Sequence, residues 1–467
     1  MKHVLSYIFL IIILFMMPSC LTSRMAEDEL PEQSSLISDE FHVTLDMARS
    51  FASSIKERGP IKSEECYSFR GDTLLYLFNY EDGWIVLSSD TRIDLVVASD
   101  DKGRMEFNQL LNSKMGVWLD GITEQVLALR RTEQISSSRS SVDFWTAHKR
   151  PLLRDSLPEF PCWMRKTSIQ TTDTIIESIG PLIQTKWGQH EPWNNEMFYG
   201  YDSNGTYKRC ILGCASVAMC QILYFTHFNL GKPNGLYHDV SVYGCKYSLT
   251  SGTQYRDHDN FIANSTRWND MAQTENDSHT DYAGDFLMDV GFDIGTQYWV
   301  EESKAEISTS SFNNYGISCD KRSYSLDTVH RYLSLGMPLI ISAARTKNTF
   351  SIIHPYSNYH MWIIDGWRRH RFVTYITYQW ILLNSEDDLL NYSLEGTEDF
   401  YDYDIGLQEN GGNSYTYDSY STYSSSFLMN WGANGQYDSS EYSTLPSTWQ
   451  ANGKYYQYDA HIFYNFR

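Results

Sequence analysis

The run from Ala215 to Phe225 constrains the fold more than any other segment. Val217, Ala218, Ile222 and Phe225 are apolar and Gln221 is the only strongly polar interruption. A helix with this pattern is buried on most sides and has to be enclosed by other elements. Gly213 punctuates the chain immediately before it, so Cys214 falls at the helix start. Met361 to Ile364 reads as a buried strand led by His360 and closed by Asp365-Gly366.

At 467 residues the chain exceeds the ~250–300 at which single cores stop growing, so two domains are expected. A formal charge of −21 works against phosphate-backbone binding, which needs clustered Lys and Arg, and nucleic acid is not an expected partner. Lys2 and His3 precede an apolar run from Val4 to Met17, too short for the ~20 residues a spanning helix requires. With Ser19 before Cys20 this fits a bacterial lipoprotein signal over residues 1–20. Cys20 is then acylated, and residues 21–40 form a polar tether; a secretory signal cut near Ser23 is the alternative. Both export the chain, to the cell surface or outer membrane in the first case, with the lipid on Cys20 as its only membrane contact.

Export changes how Cys66, Cys162, Cys210, Cys214, Cys220, Cys245 and Cys319 read, because cysteines in an oxidising compartment tend to pair. If one of the five from Cys210 onward is a nucleophile, the remaining four have three possible pairings. None forms the closely spaced pair of pairs of structural zinc, and neither metal nor cofactor is expected.

Residues 41–135 read as a first unit. Val43, Met47, Phe51 and Ile55 recur at helical spacing before Gly59-Pro60. Strands follow at 73–79, 84–89 and 94–99, and Leu111, Met115, Trp118, Leu119, Ile122, Val126 and Leu129 make one helical stripe. Residues 136–174 lack periodicity and carry Lys149-Arg150-Pro151 and Arg165-Lys166, as expected of a linker with processing sites. The second unit spans 175–467.

A thiol attacks as thiolate, and its pKa falls beside an imidazolium or at a helix N-terminus. Cys214 has the helix and needs a base. Among 13 histidines, His360 stands out because the mouth of a buried strand holds its ring rigidly beside a cleft. Asn430 on a later strand can orient that ring by accepting its Nδ1 proton, with Trp431 packed over the pair.

The ordered set Lys186-Trp187-Gly188-Gln189, Gly213-Cys214, His360 to Gly366 and Asn430-Trp431-Gly432 resembles the streptopain-like cysteine peptidases. The resemblance implies a papain-like α+β fold, with a helical subdomain and an antiparallel-sheet subdomain behind a small α+β prodomain. It also implies that Cys214 is the nucleophile, His360 the base and Gln189 a side-chain donor to the oxyanion hole. Gly83 to Asp94 looks like part of the family's inhibitory prosegment, so the chain's own prodomain and peptide substrates are the implied partners.

Three departures stand out. Asn358-Tyr359 precede the histidine where the family has Gly, Ala433-Asn434-Gly435 follow Asn-Trp-Gly, and His360 and Asn430 lie seventy positions apart. The surplus, about 369–425, is expected to be a surface insertion or a lid. The expected function is an exported cysteine endopeptidase made as a zymogen. A surface-anchored binding or inhibitory protein on an inactive peptidase scaffold is the alternative, and a papain-fold acyltransferase shares the dyad.

Overall fold

Thr44 opens the first element. Its Oγ1 accepts the Met47 N–H at 3.3 Å, and α1 (Leu45–Ser54) turns Met47, Ala48, Phe51 and Ala52 inward. In this computed structural model the described residues are 41–69, 71–112, 116–130, 144–145, 148, 161–231, 245–249, 252–256, 265–347, 356–385, 400–402, 415–438, 440–444, 450–451, 454–455 and 459–467. The expected signal and tether lie outside them.

After α1 come β1 (Ser63–Phe69), β2 (Asp72–Asn79), β3 (Trp84–Ser88) and β4 (Val96–Asp100), an antiparallel meander matching the alternating apolar runs in the sequence. The expected long helix is two pieces, α2 (Phe107–Asn112) and α3 (Gly116–Arg130). Next are β5 (Cys162–Ile179), α4 (Cys214–Leu230), α5 (Thr280–Asp293) and β6 (Asp320–Ser323). They are followed by α6 (Leu326–Ser334), β7 (Leu339–Lys347), β8 (Tyr356–Leu383) and β9 (Phe400–Asp402). The last strands of the main sheet are β10 (Tyr415–Asn430), β11 (Glu441–Ser443) and β12 (His461–Tyr464).

These strands make one twelve-stranded sheet in the order β1-β2-β3-β4-β11-β10-β8-β7-β12-β6. β5 lies along the distal part of β8, and β9 pairs with β5. Period-2 alternation gives the sheet two apolar faces. Ile340, Met361, Ile363 and Phe463 face the cluster that contains α4 and α5. Ile341, Trp362, Ile364, Met429 and Ile462 belong to the other cluster, with α6, α3 and the N-terminal strands. The mixed helix and antiparallel-sheet class is the one expected.

Four expectations change. Residues 41–130 share a sheet with the rest of the chain, because Ser99 and Ala98 of β4 pair with Glu441 and Tyr442 of β11 and satisfy an edge that would otherwise be open. Residues 162–174, read as linker, are strand. Arg165 and Lys166 pair with Trp380 and Gln379 on one side and with Asp402 and Tyr401 on the other; Lys149-Arg150-Pro151 lies outside the described residues.

Asp365-Gly366 does not close the His360 strand. β8 runs on to Leu383 through a bulge at Gly366, where a Cβ would press on the Ile179 carbonyl and the Leu428 side chain. The described parts of the surplus at 369–425 are not a lid but the distal halves of β8 and β10, paired from Arg368↔Ser426 to Gln379↔Tyr415. Residue-type alternation in this stretch is mostly polar and aromatic, which hid the strand pattern.

Candidate active site

Gly213 sits at φ +94, where an L side chain is strained, and an added Cβ would overlap the Ser303 side chain. Glycine is therefore required where the chain turns into α4. The first intrahelical bond, Val217 N–H to the Gly213 carbonyl, is 3.2 Å, and no side chain caps the helix start. Cys214 thus stands at a helix terminus whose first N–H groups are positively polarised. It is partly exposed, in contact with the buried α4 cluster that includes Met361.

The other cysteines behave differently. Cys210, Cys220 and Cys319 are buried free thiols, not disulfide partners of one another. Burial pushes Cys210 up to about 11 and Cys319 up to about 12, and holds Cys220 well above the ordinary thiol range. All three are poor nucleophiles near neutral pH. Cys66 is an exposed free thiol on β1, remote in the fold from α4.

His360 lies on β8 opposite Ala343 of β7 and is 8% exposed. Its ring stacks on Trp362 at 5.7 Å and lies nearly parallel to Trp431 at 6.4 Å, while the two indoles stack at 5.0 Å. Trp431 is fully buried beside the imidazole. The Trp362 Nε1–H points to Met429 Sδ at 3.1 Å, which fixes that indole.

Asn430 is held by other partners. Its Nδ2 donates to the Thr185 carbonyl at 2.9 Å, and its Oδ1 accepts the Gly432 N–H at 3.2 Å. It therefore straps the approach to the Lys186–Gln189 segment onto the sheet next to Trp431.

Gln189 is 4% exposed, and its Nε2 is a buried donor without a hydrogen bond to any described residue. Its carbonyl accepts the Leu212 N–H at 3.1 Å, tying this loop to the turn two residues before Cys214. Trp187 anchors the loop from below, donating to the Ala272 carbonyl at 2.7 Å.

Two positions carry more of the site than the sequence suggested. Asn434, which the altered family flank made a point of difference, packs on Gly188 so closely that a Cβ there would overlap its amide, and it donates to the Glu191 carbonyl at 2.9 Å. Asp365 is buried beneath the Gln189 approach and accepts the Ile183 N–H at 3.3 Å. Burial, then the negative Asp438, push its carboxyl up to about 8 against the opposing Lys186. Lys186 reaches Asp438 at 3.3 Å, and Asp438 Oδ1 accepts the Trp431 N–H at 3.2 Å. The Asp-Gly pair had the look of a turn, and only its continuation in a strand reveals the buried acid. Among the described residues no cluster of His, Cys, Asp and Glu has the arrangement of a metal site.

No curated protein matches the chain. A solved fragment of Prevotella intermedia prointerpain A is similar at 15% identity and a TM-score of 0.46, over 86% of this chain and 98% of that one. Residues 187–381 match the model of the Peptidase C10 family, a span that holds the Gln189 loop, Cys214 with its helix and the His360 strand. That segment is similar to the Peptidase C10, or streptopain, family.

Proposed function

We propose that this protein is an exported cysteine endopeptidase made as a zymogen, with Cys214 as nucleophile, His360 as general base and acid, and Gln189 in the oxyanion hole. The observation that carries the proposal is the Gln189 amide: a buried donor with no hydrogen-bond partner among the described residues, on a loop tied to the turn before Cys214. A buried N–H left unsatisfied costs about 1–3 kcal/mol, a cost with no structural return unless a ligand oxygen completes it.

The Cys214 sulfur, as thiolate beside the helix terminus, attacks the substrate carbonyl carbon. Its oxygen takes the negative charge and accepts hydrogen bonds from Gln189 Nε2 and the Cys214 backbone N–H. The tetrahedral centre collapses, the C–N bond breaks, and the His360 imidazolium gives its proton to the leaving amine. Water then loses a proton to His360 and attacks the thioester, releasing the acid and regenerating the thiolate–imidazolium pair. Trp431 and Trp362 keep solvent from one face of the imidazole. Asn430 positions the strand end and the Gln189 segment rather than spending its whole amide on the ring.

The apolar run at residues 4–17 supports export, with Cys20 as the lipid anchor. Residues 41–130 act as the inhibitory prodomain. A peptidyl thiol-directed inhibitor applied before and after limited proteolysis tests the whole proposal: labelling confined to Cys214 and appearing after the cut supports it. Absence of both labelling and peptide hydrolysis after clean removal of residues 41–130 refutes it.

A further inference from the structure

Asp365 is left out of the register where β8 meets β10: Ile364 pairs with Met429 and Gly366 with Leu428. The bulge frees its main chain and its side chain for another partner. Its carbonyl accepts the Leu182 N–H at 2.9 Å, and its carboxyl Oδ2 accepts the Ile183 N–H at 3.3 Å. Gly180 lies so close to the same carbonyl that a Cβ there would overlap it. One residue of the His360 strand thus holds the segment that leads from β5 to Gln189.

Farther along that segment, Asn430 donates to the Thr185 carbonyl at 2.9 Å, the Lys186 N–H donates to the Gln273 carbonyl at 2.7 Å, and the Lys186 ammonium reaches Asp438 at 3.3 Å. Asp438 in turn accepts the Trp431 N–H at 3.2 Å. Asp365 is 1% exposed, and its Oδ1 has no hydrogen-bond partner among the described residues. An oxygen in that position carries a proton at far less cost than a charge. The charged groups that act on it are Asp438, from the turn after β10, and Lys186, from the segment itself. Burial first, then Asp438, outweigh Lys186 and the Ile183 N–H, and the carboxyl is held up to about 8.

We propose that Asp365 is a positioning residue for the oxyanion side of the site: in its neutral form it pins residues 180–189 to the His360 strand, and on ionisation it lets that segment open and disables the Gln189 donor. The inference rests on the cysteine-peptidase reading above. A carboxylate formed in a close-packed interior is not hydrated unless a neighbour moves. The segment over it is the neighbour that can move, since residues 180–188 are neither helix nor strand. The new charge also competes with Asp438 for Lys186, and Asp438 holds the Trp431 N–H beside His360. A shift of about 1 Å at a catalytic donor is enough to cost about 10²-fold in rate. Attack by the Cys214 thiolate on a simple alkylating agent does not use that donor.

The test uses enzyme prepared from the folded full chain by limited proteolysis and stripped of residues 41–130. Hydrolysis of a fluorogenic peptide and alkylation of Cys214 by iodoacetamide are both followed across neutral and alkaline pH. Asp365→Ala removes the acceptor and is expected to lower kcat by about 10–10²-fold, with KM and the alkylation rate each within about threefold of the parent. Asp365→Asn keeps an acceptor for the Ile183 N–H and cannot ionise, so it is expected to recover most of the kcat that Asp365→Ala loses. One pH unit above 8 about a tenth of the parent molecules keep the Asp365 proton, and the parent's kcat should have fallen about tenfold from its neutral value; that of Asp365→Asn should have fallen severalfold less. Identical pH profiles for the parent and Asp365→Asn overturn the inference, and that result does not depend on Asp365→Ala folding. In an Asp365→Ala enzyme whose circular dichroism matches the parent's, loss of alkylation in step with hydrolysis also overturns it. A stripped parent that neither hydrolyses peptide nor takes up iodoacetamide at Cys214 defeats the cysteine-peptidase reading instead.

Discussion

Replacing Gln189 by Met separates catalytic from structural roles more sharply than any other substitution here. Methionine has nearly the shape of glutamine but donates nothing. The lost donor is already desolvated, at 4% exposure, and satisfies no described group in the resting fold. Its removal therefore breaks no native Nε2 bond and relieves a buried unsatisfied group, which offsets the imperfect fit of the thioether. Net stability is expected to stay within about 1 kcal/mol of the parent, against the 2–5 kcal/mol typical of truncating a buried side chain. In the transition state the same N–H faces a full oxyanion, and removing one such donor costs about 2.7–4 kcal/mol, or 10²–10³ in kcat. The assays are urea unfolding of the zymogen and hydrolysis of a fluorogenic peptide by the stripped enzyme. Loss of several kcal/mol of stability, or a kcat within about threefold of the parent, would refute the assignment of Gln189 to the oxyanion.

Gly213→Ala is expected to cost about 1–3 kcal/mol from its positive φ alone, with further loss from the Ser303 overlap, and to lower kcat/KM by displacing Cys214; thermal unfolding and peptide hydrolysis measure the two parts. Near neutral pH a small thiol reagent should modify Cys214 and Cys66 but leave Cys210, Cys220 and Cys319 unreacted until the protein unfolds, as peptide mapping would show. His370 governs an alkaline limit. Burial lowers its pKa, but the hydrogen bonds to Asp173 and Glu441 outweigh that and hold it up to about 9 from 6.5. Its contribution is thus complete below 6.5 and is lost as pH rises through 9. Burial raises Glu441, but His370 above all brings it down to about 2 from 4.5, so its contribution is present above 4.5 and lost as pH falls through 2. Unfolding midpoints should decline on both sides of that window, and His370→Gln should lessen the alkaline decline without removing the part due to Asp365, held up to about 8.

The parts of the fold visible in the sequence are those where one periodicity dominates. Val43 to Ile55, the three N-terminal strands and Ala215 to Phe225 each keep a single apolar pattern, and each forms the expected element. The ribbon of β5 with the distal halves of β8 and β10 was invisible for a physical reason. Its outer face meets water and its inner face mixes Phe372 and Ile376 with Thr374, Ser424 and His370, so hydrophobicity barely alternates. Its stability comes instead from cross-strand pairing and from hydroxyl and charge contacts to segments far away in sequence. The fusion of the N-terminal strands with β11 was equally hidden, because β11 is three residues long and its partner lies over 300 positions upstream.

The site divides along the same line. Cys214, His360 and Trp431 stood out as candidates because each sits at the boundary of a strongly patterned element and their order along the chain resembles the streptopain-like peptidases. The supporting groups were not, since nothing local distinguishes Asn434 from a loop amide or Asp365 from a turn acid. Their significance comes from a network that closes only in three dimensions. Asn430 and Asn434 both hold the segment around Gln189, one through the Thr185 carbonyl and the other through Glu191 and the space left by Gly188. Lys186, Asp438 and the Trp431 N–H join that segment to the indole over His360. The segment around Gln189 and the indole beside His360 are therefore joined in one hydrogen-bonded network. Asn434, in the Ala433-Asn434-Gly435 run that departs from the resembled family, adds a hydrogen-bonded strut to that network through the Glu191 carbonyl and its contact with Gly188.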